Sequence, residues 1–164
     1  MNHLARTREE MEYWFQIQHL DIDQLLAEWR WLCPKPLKLV ARNAFADLFL
    51  ADESGKVMRL DVAVGKLELV ADSNAQFREL AKNPENREQW FTETDQHVFA
   101  AKGLIPNETQ CIAFDIPLVF ADTTGRSRKP YIANIYEQVS FLGDINRQIK
   151  DVPDGGKVTL KVKS

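Results

Sequence analysis

Histidine and cysteine are scarce in this chain, and their placing removes the readable signs of metal and thiol chemistry. The three histidines, His3, His19 and His97, form no H-x-x-x-H pair, the local mark of a metal site. Each is read as structural or surface. The two cysteines, Cys33 and Cys111, stand far apart with no C-x-x-C spacing, so they are expected as buried thiols in a reducing compartment, without a disulfide. Neither has a histidine beside it in sequence to mark a nucleophile. No G-x-G-x-x-G or G-x-x-x-x-G-K follows a strand, which leaves nucleotide chemistry unsupported. The sequence therefore assigns no catalytic residue, no metal and no cofactor.

A surplus of charge of one sign is missing as well. Lys and Arg number 21 against 24 Asp and Glu, a formal charge of -3, and no run of like charges concentrates the difference. A nucleic-acid partner leaves a basic patch or stripe in composition, so none is expected, whereas an acidic chain can still meet a basic protein. Long apolar runs are absent too. No stretch approaches the roughly 18 apolar residues of a spanning helix, and MNHLARTREEMEYWF carries charge where a signal peptide needs its apolar stretch. The expectation is a cytoplasmic protein with no membrane partner.

What is present is ordinary globular usage, 45% hydrophobic and 27% charged over 164 residues, enough for one core. The chain is read as a single domain over 1–164, with a helical extension over 1–20 and an α+β body over 21–164. Met11, Trp14, Phe15 and Gln18 fall at helical spacing between Thr7 and His19. Ile22, Leu25, Leu26, Trp29 and Leu32 give a second helix an apolar stripe from Asp21 to Leu32, ended by Pro34 and Pro36. Trp14, Trp29 and Trp31 at this spacing in a non-basic chain are core or edge packing rather than a base-stacking platform.

Three or four short strands follow, near Lys38–Arg42, Ala46–Ala51, Lys56–Asp61 and Lys66–Val70. Gly55 and Gly65 supply the positive φ that tight hairpins require. With loops at 53–55 and 62–65, Leu48 and Leu50 share a face with Met58 and Leu60, Leu60 opposes Leu67, and Met58 opposes Leu69. The other face collects Asp47, Phe49, Arg59, Asp61, Lys66 and Glu68. This alternation predicts an antiparallel β-meander sheet with one face in the core and the other wetter. Helices that cover the second face, with the charges paired beneath them, are the alternative.

Beyond Asp72, SNAQ offers a capping box in which Ser73 and Gln76 satisfy free amides, with Phe77 and Leu80 facing inward. Pro84 opens a helix carrying Trp90 and Phe91, Thr94 is placed to cap another with Val98 and Phe99, and Gly103 to close it. CIAFDIPLVF reads as a strand with Pro117 at an edge or bulge, TTGRSRKP as a polar loop and YIANIYEQVSF as a strand. LGDINRQIKDV reads as a helix with Leu142, Ile145 and Ile149 on one face, and GKVTLKVKS as a last strand, giving a late strand-helix-strand unit.

Asp47 and Asp61 are the best-placed carboxylate pair for acid–base work, but Arg59 beside them points to ion pairing. An exposed cross-strand network of this kind contributes only some tenths of a kcal/mol to about 1 kcal/mol.

DQLLAEWRWLCPK, NAFADLFLADESGKVMRLDVAVGKLELVADS, NPENREQWF, GLIPNETQCIAFDIPLVF and YEQVSFLGDINRQIKDVPDGGKV together resemble the C-terminal domain of bacterial type VI secretion immunity proteins, from about Ile22 onward. The order of helix, meander, helices and late strand-helix-strand is also distantly similar to the SUKH immunity superfamily. The N-x-F-x-D-L-F, D-x-x-G-x-V and SFLG motifs in that order carry the resemblance. Asp47 matches, while Ala46 stands where the family has glycine, and the GAD-like N-terminal domain of many members is not included. The resemblance implies a non-catalytic protein that binds and blocks a cognate toxin, in that family a nuclease. Asp47, Phe49, Arg59, Asp61 and Glu68 are then the candidate partner-binding residues, since they share the wetter face. The competing expectation is a small-molecule-binding domain or enzyme with a pocket between sheet and helices, lined by Trp90, Phe91 and Cys111.

Overall fold

The computed structural model describes residues 17–120, 127–153, 155–157 and 159. The expected N-terminal helix, except its last residues, and most of the expected strand over 156–164 lie outside the described residues, as does the first half of the polar loop.

Six strands and five helices make up the described part, in the α+β class expected: α1 (Ile22–Leu25), β1 (Lys38–Arg42), β2 (Leu48–Ala51), β3 (Val57–Asp61), β4 (Lys66–Ala71), α2 (Asn74–Leu80), α3 (Pro84–Phe91), α4 (Glu93–Ala101), β5 (Gln110–Phe114), β6 (Pro130–Asn134) and α5 (Ile135–Ile149). Strands β1 to β4 form an antiparallel meander, and β5 and β6 a separate two-stranded antiparallel sheet. The meander register is the expected one: Leu48 faces Leu60, Leu50 faces Met58, Leu60 faces Leu67 and Met58 faces Leu69. Gly55 and Gly65 both take positive φ in the hairpin loops, and the Gly65 N–H closes its loop on the Asp61 carbonyl.

The two faces differ from the expected division into dry and wet. Leu48, Leu50 and Leu60 are buried against Leu25, Leu26, Trp29, Val139 and Leu142, so the segment from α1 and the helix α5 cover that face. Leu69, on the same face at the sheet edge, is 56% exposed. The opposite face is dry over one part only: Phe49, Val57 and Ala71 pack against Phe77, Trp90 and Phe91 of α2 and α3, while Asp61, Lys66 and Glu68 keep contact with water. Phe49 meets Phe77 and Phe91 with ring centroids 5.1 and 5.4 Å apart. Apolar residues interleaved with the charges on that face made a helical lid favourable, and the helices carry the matching aromatics.

Local chemistry sets the helix ends. Ser73 accepts the Gln76 N–H, and the Gln76 side chain accepts the N–H of Asp72, so the capping box forms one residue wider than the standard one. Asn83 caps α3 with Pro84 in its first turn. Thr94 does not cap α4. That helix starts at Glu93 after Thr92, whose φ of 51° breaks the chain from α3, and Thr94 instead donates to Glu88 across the break. Arg87 pairs with Glu93 at 2.6 Å over the same junction. Gly103, at φ 85°, ends α4 as expected, with Leu104 N–H returning to the Phe99 carbonyl.

Three further expectations are corrected. The second helix is α-helical only over Ile22–Leu25 and continues to Leu32 as turns with hydrogen bonds such as Trp29 N–H to the Leu26 carbonyl. Packing decides this path, because Trp29 is fully buried and donates its indole N–H to the Val139 carbonyl of α5 at 2.8 Å. The strand expected in CIAFDIPLVF stops at Phe114, and Pro117 lies in the turn beyond. The strand expected in YIANIYEQVSF stops at Asn134, whose side chain accepts the N–H groups of Tyr136 and Glu137 and starts α5. Ile135, Val139, Leu142 and Ile145 then bury one helical face, as the shorter helix expected over 142–152 had in part implied.

Two close approaches lock α5 in place. A Cβ on Gly143 would stand 2.7 Å from the Glu28 carbonyl oxygen and 2.8 Å from the Trp29 indole nitrogen. Asn146, buried, donates to the carbonyls of Val62 and Leu142, tying the helix to the β3–β4 loop. Arg42, fully buried at the end of β1, serves three carbonyls, those of Asn43, Glu108 and Gln110, and thereby binds the main sheet to the start of β5.

Candidate functional site

The turn from β1 to β2 is built around one side chain. Asn43 accepts the N–H groups of Phe45 and Asp47 through Oδ1, and donates through Nδ2 to the Asp47 carboxylate and the Trp90 carbonyl. This Asx arrangement turns the chain through Ala46, which takes φ 72°, a left-handed conformation that a Cβ disfavours. The Asp47 side chain is thereby delivered to the end of the sheet with 6% of its surface exposed.

Its carboxylate is fully engaged. Oδ2 accepts Arg59 Nη2 at 2.7 Å, Arg59 Nε at 3.3 Å and Asn43 Nδ2 at 3.1 Å, and Oδ1 accepts the Val62 N–H at 3.3 Å. Burial pushes the Asp47 carboxyl up to about 6, and the neighbouring Asp61 charge adds to this, against the opposing pull of Arg59 and Asn43. Burial works against the Arg59 charge, but Asp47, then Asp61 and Glu68, hold its pKa above the ordinary value. Arg59 also reaches Glu68 at 3.8 Å, and Lys66 reaches Glu68 at 3.7 Å. Asp61 accepts the Ala63 N–H and joins no ion pair among the described residues.

These groups stand at the wall of a cleft of about 370 Å³ between the β1–β2 turn, the β3–β4 loop, the start of α4 and the end of β5. Its opposite wall is aromatic. Phe45 and Phe114 stack at 6.3 Å, and Phe99 meets both edge-on at 5.9 and 6.0 Å. Thr92 and the exposed Asp95 close the helical side, and Val64 and Leu118, 50% and 49% exposed, form the lip. A second depression of about 320 Å³ lies on the far side of Val64, beside Trp31, Gly65, Asn146 and Phe120.

The five residues expected to meet a partner therefore divide. Asp47, Arg59 and Asp61 come together at the cleft. Glu68 is half-buried and attached to them only through Arg59. Phe49 is fully enclosed by α2 and α3 and presents nothing to a surface. The three residues expected to line one pocket do not come together: Trp90 and Phe91 pack on Phe49, and Cys111 belongs to the other core. Burial pushes the thiols of Cys33 and Cys111 up to about 11 and about 12. Asn43, Phe45, Asp95 and Phe114 were missed as site residues. Asn43 and Phe45 stand inside the N-x-F-x-D motif and so carried a signal, whereas Asp95 and Phe114 arrive from distant elements and carried none.

Among the described residues no group of three or more His, Cys, Asp or Glu side chains could hold a metal ion, and no helix is long and apolar enough to cross a membrane. No family model, curated protein or solved structure matches this chain.

Proposed function

We propose that the chain is a non-catalytic immunity protein that neutralises a cognate secreted toxin, a nuclease on the resemblance drawn above, by binding it stoichiometrically through the cleft end of the molecule. One observation carries the reading: two adjacent depressions share the exposed Val64 as a ridge, with carboxylates set into one of them. Concave surface with an apolar ridge and charged walls suits a protein partner, and its charge selects and steers more than it tightens. The committed state of Asp47 agrees, since a carboxylate holding four donors has little left for a substrate.

Co-expression with the protein encoded beside this chain's gene, where that has a secreted-toxin layout, tests the proposal. Restored growth and a co-eluting complex on size exclusion are expected. Unchanged toxicity with no complex overturns it.

A second reading, a small-molecule site, draws on the Asp47 carboxyl raised to about 6 within a cleft of ligand size. A thermal-shift screen of metabolites against the full chain favours it if one compound binds at the cleft with micromolar affinity.

A further inference from the structure

We infer that the 370 Å³ cleft is a socket for one basic side chain, an arginine or a lysine, presented by the protein partner; this rests on the proposal that the chain binds a protein. The lining charges are Asp47, Asp61 and Asp95 against Arg59. Arg59 is already spoken for by Asp47 at 2.7 Å, so the cleft offers two carboxylates, Asp61 and Asp95, that join no ion pair among the described residues. Lys66 faces Asp61 across the β3–β4 register but leans to Glu68 at 3.7 Å and leaves the cleft open.

The walls suit a cation with an apolar stem. Phe45 and Phe114 present aromatic surface, and a guanidinium or ammonium group over such rings is favoured by their quadrupole. The same cluster already receives a cation at Phe99, whose ring centre lies 6.0 Å from Lys102 Nζ. Val64 and Leu118 at the lip are placed to meet the methylene stem that lysine and arginine lay along apolar surface. A neutral apolar anchor would cover Asp61 with only the Arg59 charge, already paired with Asp47, to answer it, and an acidic one would be repelled.

The test has two arms. In the first, the full chain labelled with 15N is titrated with N-acetyl-arginine methylamide and with its neutral counterpart N-acetyl-norleucine methylamide. Shifts are expected at Ala63, Val64, Thr92, Asp95 and Phe114 with the arginine amide, at least threefold weaker with norleucine, and lost in the Asp61→Asn/Asp95→Asn variant. Asparagine at 61 keeps an oxygen for the Ala63 N–H, and position 95 is exposed, so the variant retains the fold. Equal response to both amides, shifts away from the cleft, or binding retained by the variant overturns the socket.

In the second arm, affinity for the co-encoded toxin is compared among the natural chain, this double variant and the control Glu53→Gln in the exposed β2–β3 loop. A loss of about tenfold in the double variant alone is expected. If the double variant binds and protects as the natural chain does, the socket falls and the immunity proposal stands. If the natural chain itself neither binds nor protects, the immunity proposal falls, and the arginine amide alone decides whether the cleft receives a cation.

Discussion

Asp47→Asn keeps the shape of the side chain at the β1–β2 turn while removing its titration, so the two proteins should diverge with pH in a direction set by whichever force dominates the buried pair. Burial and Asp61 raise the Asp47 carboxyl from 3.8 to about 6, against Arg59. A folded-state value above the unfolded one means that the folded chain binds the extra proton. The natural chain must therefore gain stability relative to the variant as pH falls through 6, with the gain complete below 3.8. At 1.36 kcal/mol per unit the full gain is about 3 kcal/mol, of which about 2 kcal/mol is reached by pH 4.5.

At pH 7.5 the variant should be at least as stable as the natural chain, because the balance that raises the carboxyl, with the Arg59 bond included, makes the buried charge cost up to about 3 kcal/mol relative to a neutral side chain. An amide donor turned toward the Val62 N–H, if the oxygen stays on Asn43 and Arg59, offsets part of that gain. Urea unfolding followed by tryptophan fluorescence between pH 7.5 and 4.5 measures the difference, provided the slope with urea is unchanged. The stability of the natural chain minus that of the variant should rise by about 2 kcal/mol on acidification. A difference that falls instead would show that Arg59 and the two other hydrogen bonds, from Asn43 and Val62, outweigh burial and hold the carboxyl below its ordinary value, refuting the electrostatic reasoning.

Two backbone positions give independent checks. Gly143→Ala forces a methyl within 2.7 Å of the Glu28 carbonyl oxygen and should destabilise by about 2 to 3 kcal/mol, seen as a lowered urea midpoint. Ala46→Gly relieves a left-handed φ of 72° and should stabilise by about 1 kcal/mol, less than the full conformational penalty because glycine also loosens the unfolded chain. A destabilised glycine variant would show that the Ala46 methyl contributes more by its burial than it costs by its backbone.

The meander was legible because two local signals agree in it. Glycines at 55 and 65 set the loop lengths, and a period of two over Leu48 to Leu69 leaves only one register that keeps the leucines together. The run from Ile135 to Phe141 misled because isoleucine, tyrosine, valine and phenylalanine favour strands locally. The signal that wins there is Asn134 followed by Glu137, with apolar residues every three to four positions. At the site, Asp47, Arg59 and Asp61 follow from hairpin register alone and were legible. Whether their face is wet depends on where Phe77, Trp90 and Phe91 pack, and no local pattern reports that. The same holds for Asp95 and Phe114, which reach the cleft only through the packing of α4 and β5 against the meander.

The cleft charges are held at two depths, and this separates their roles. Asp47 and Arg59 are nearly dry and fixed by Asn43, so a change there alters the fold before it alters any partner. Asp61 and Asp95 stand closer to water, where removal of a charge costs the fold little and acts on encounter and its salt dependence. Both non-glycine residues with positive φ among the described residues, Ala46 and Thr92, adjoin this one cleft. Left-handed strain persists where surrounding bonds over-determine the backbone, and at Ala46 those bonds are the Asn43 network. A wall fixed in this way meets its ligand already formed, so little ordering entropy is lost on binding, and selectivity then rests on whether the incoming group carries charge that Asp61 and Asp95 can answer.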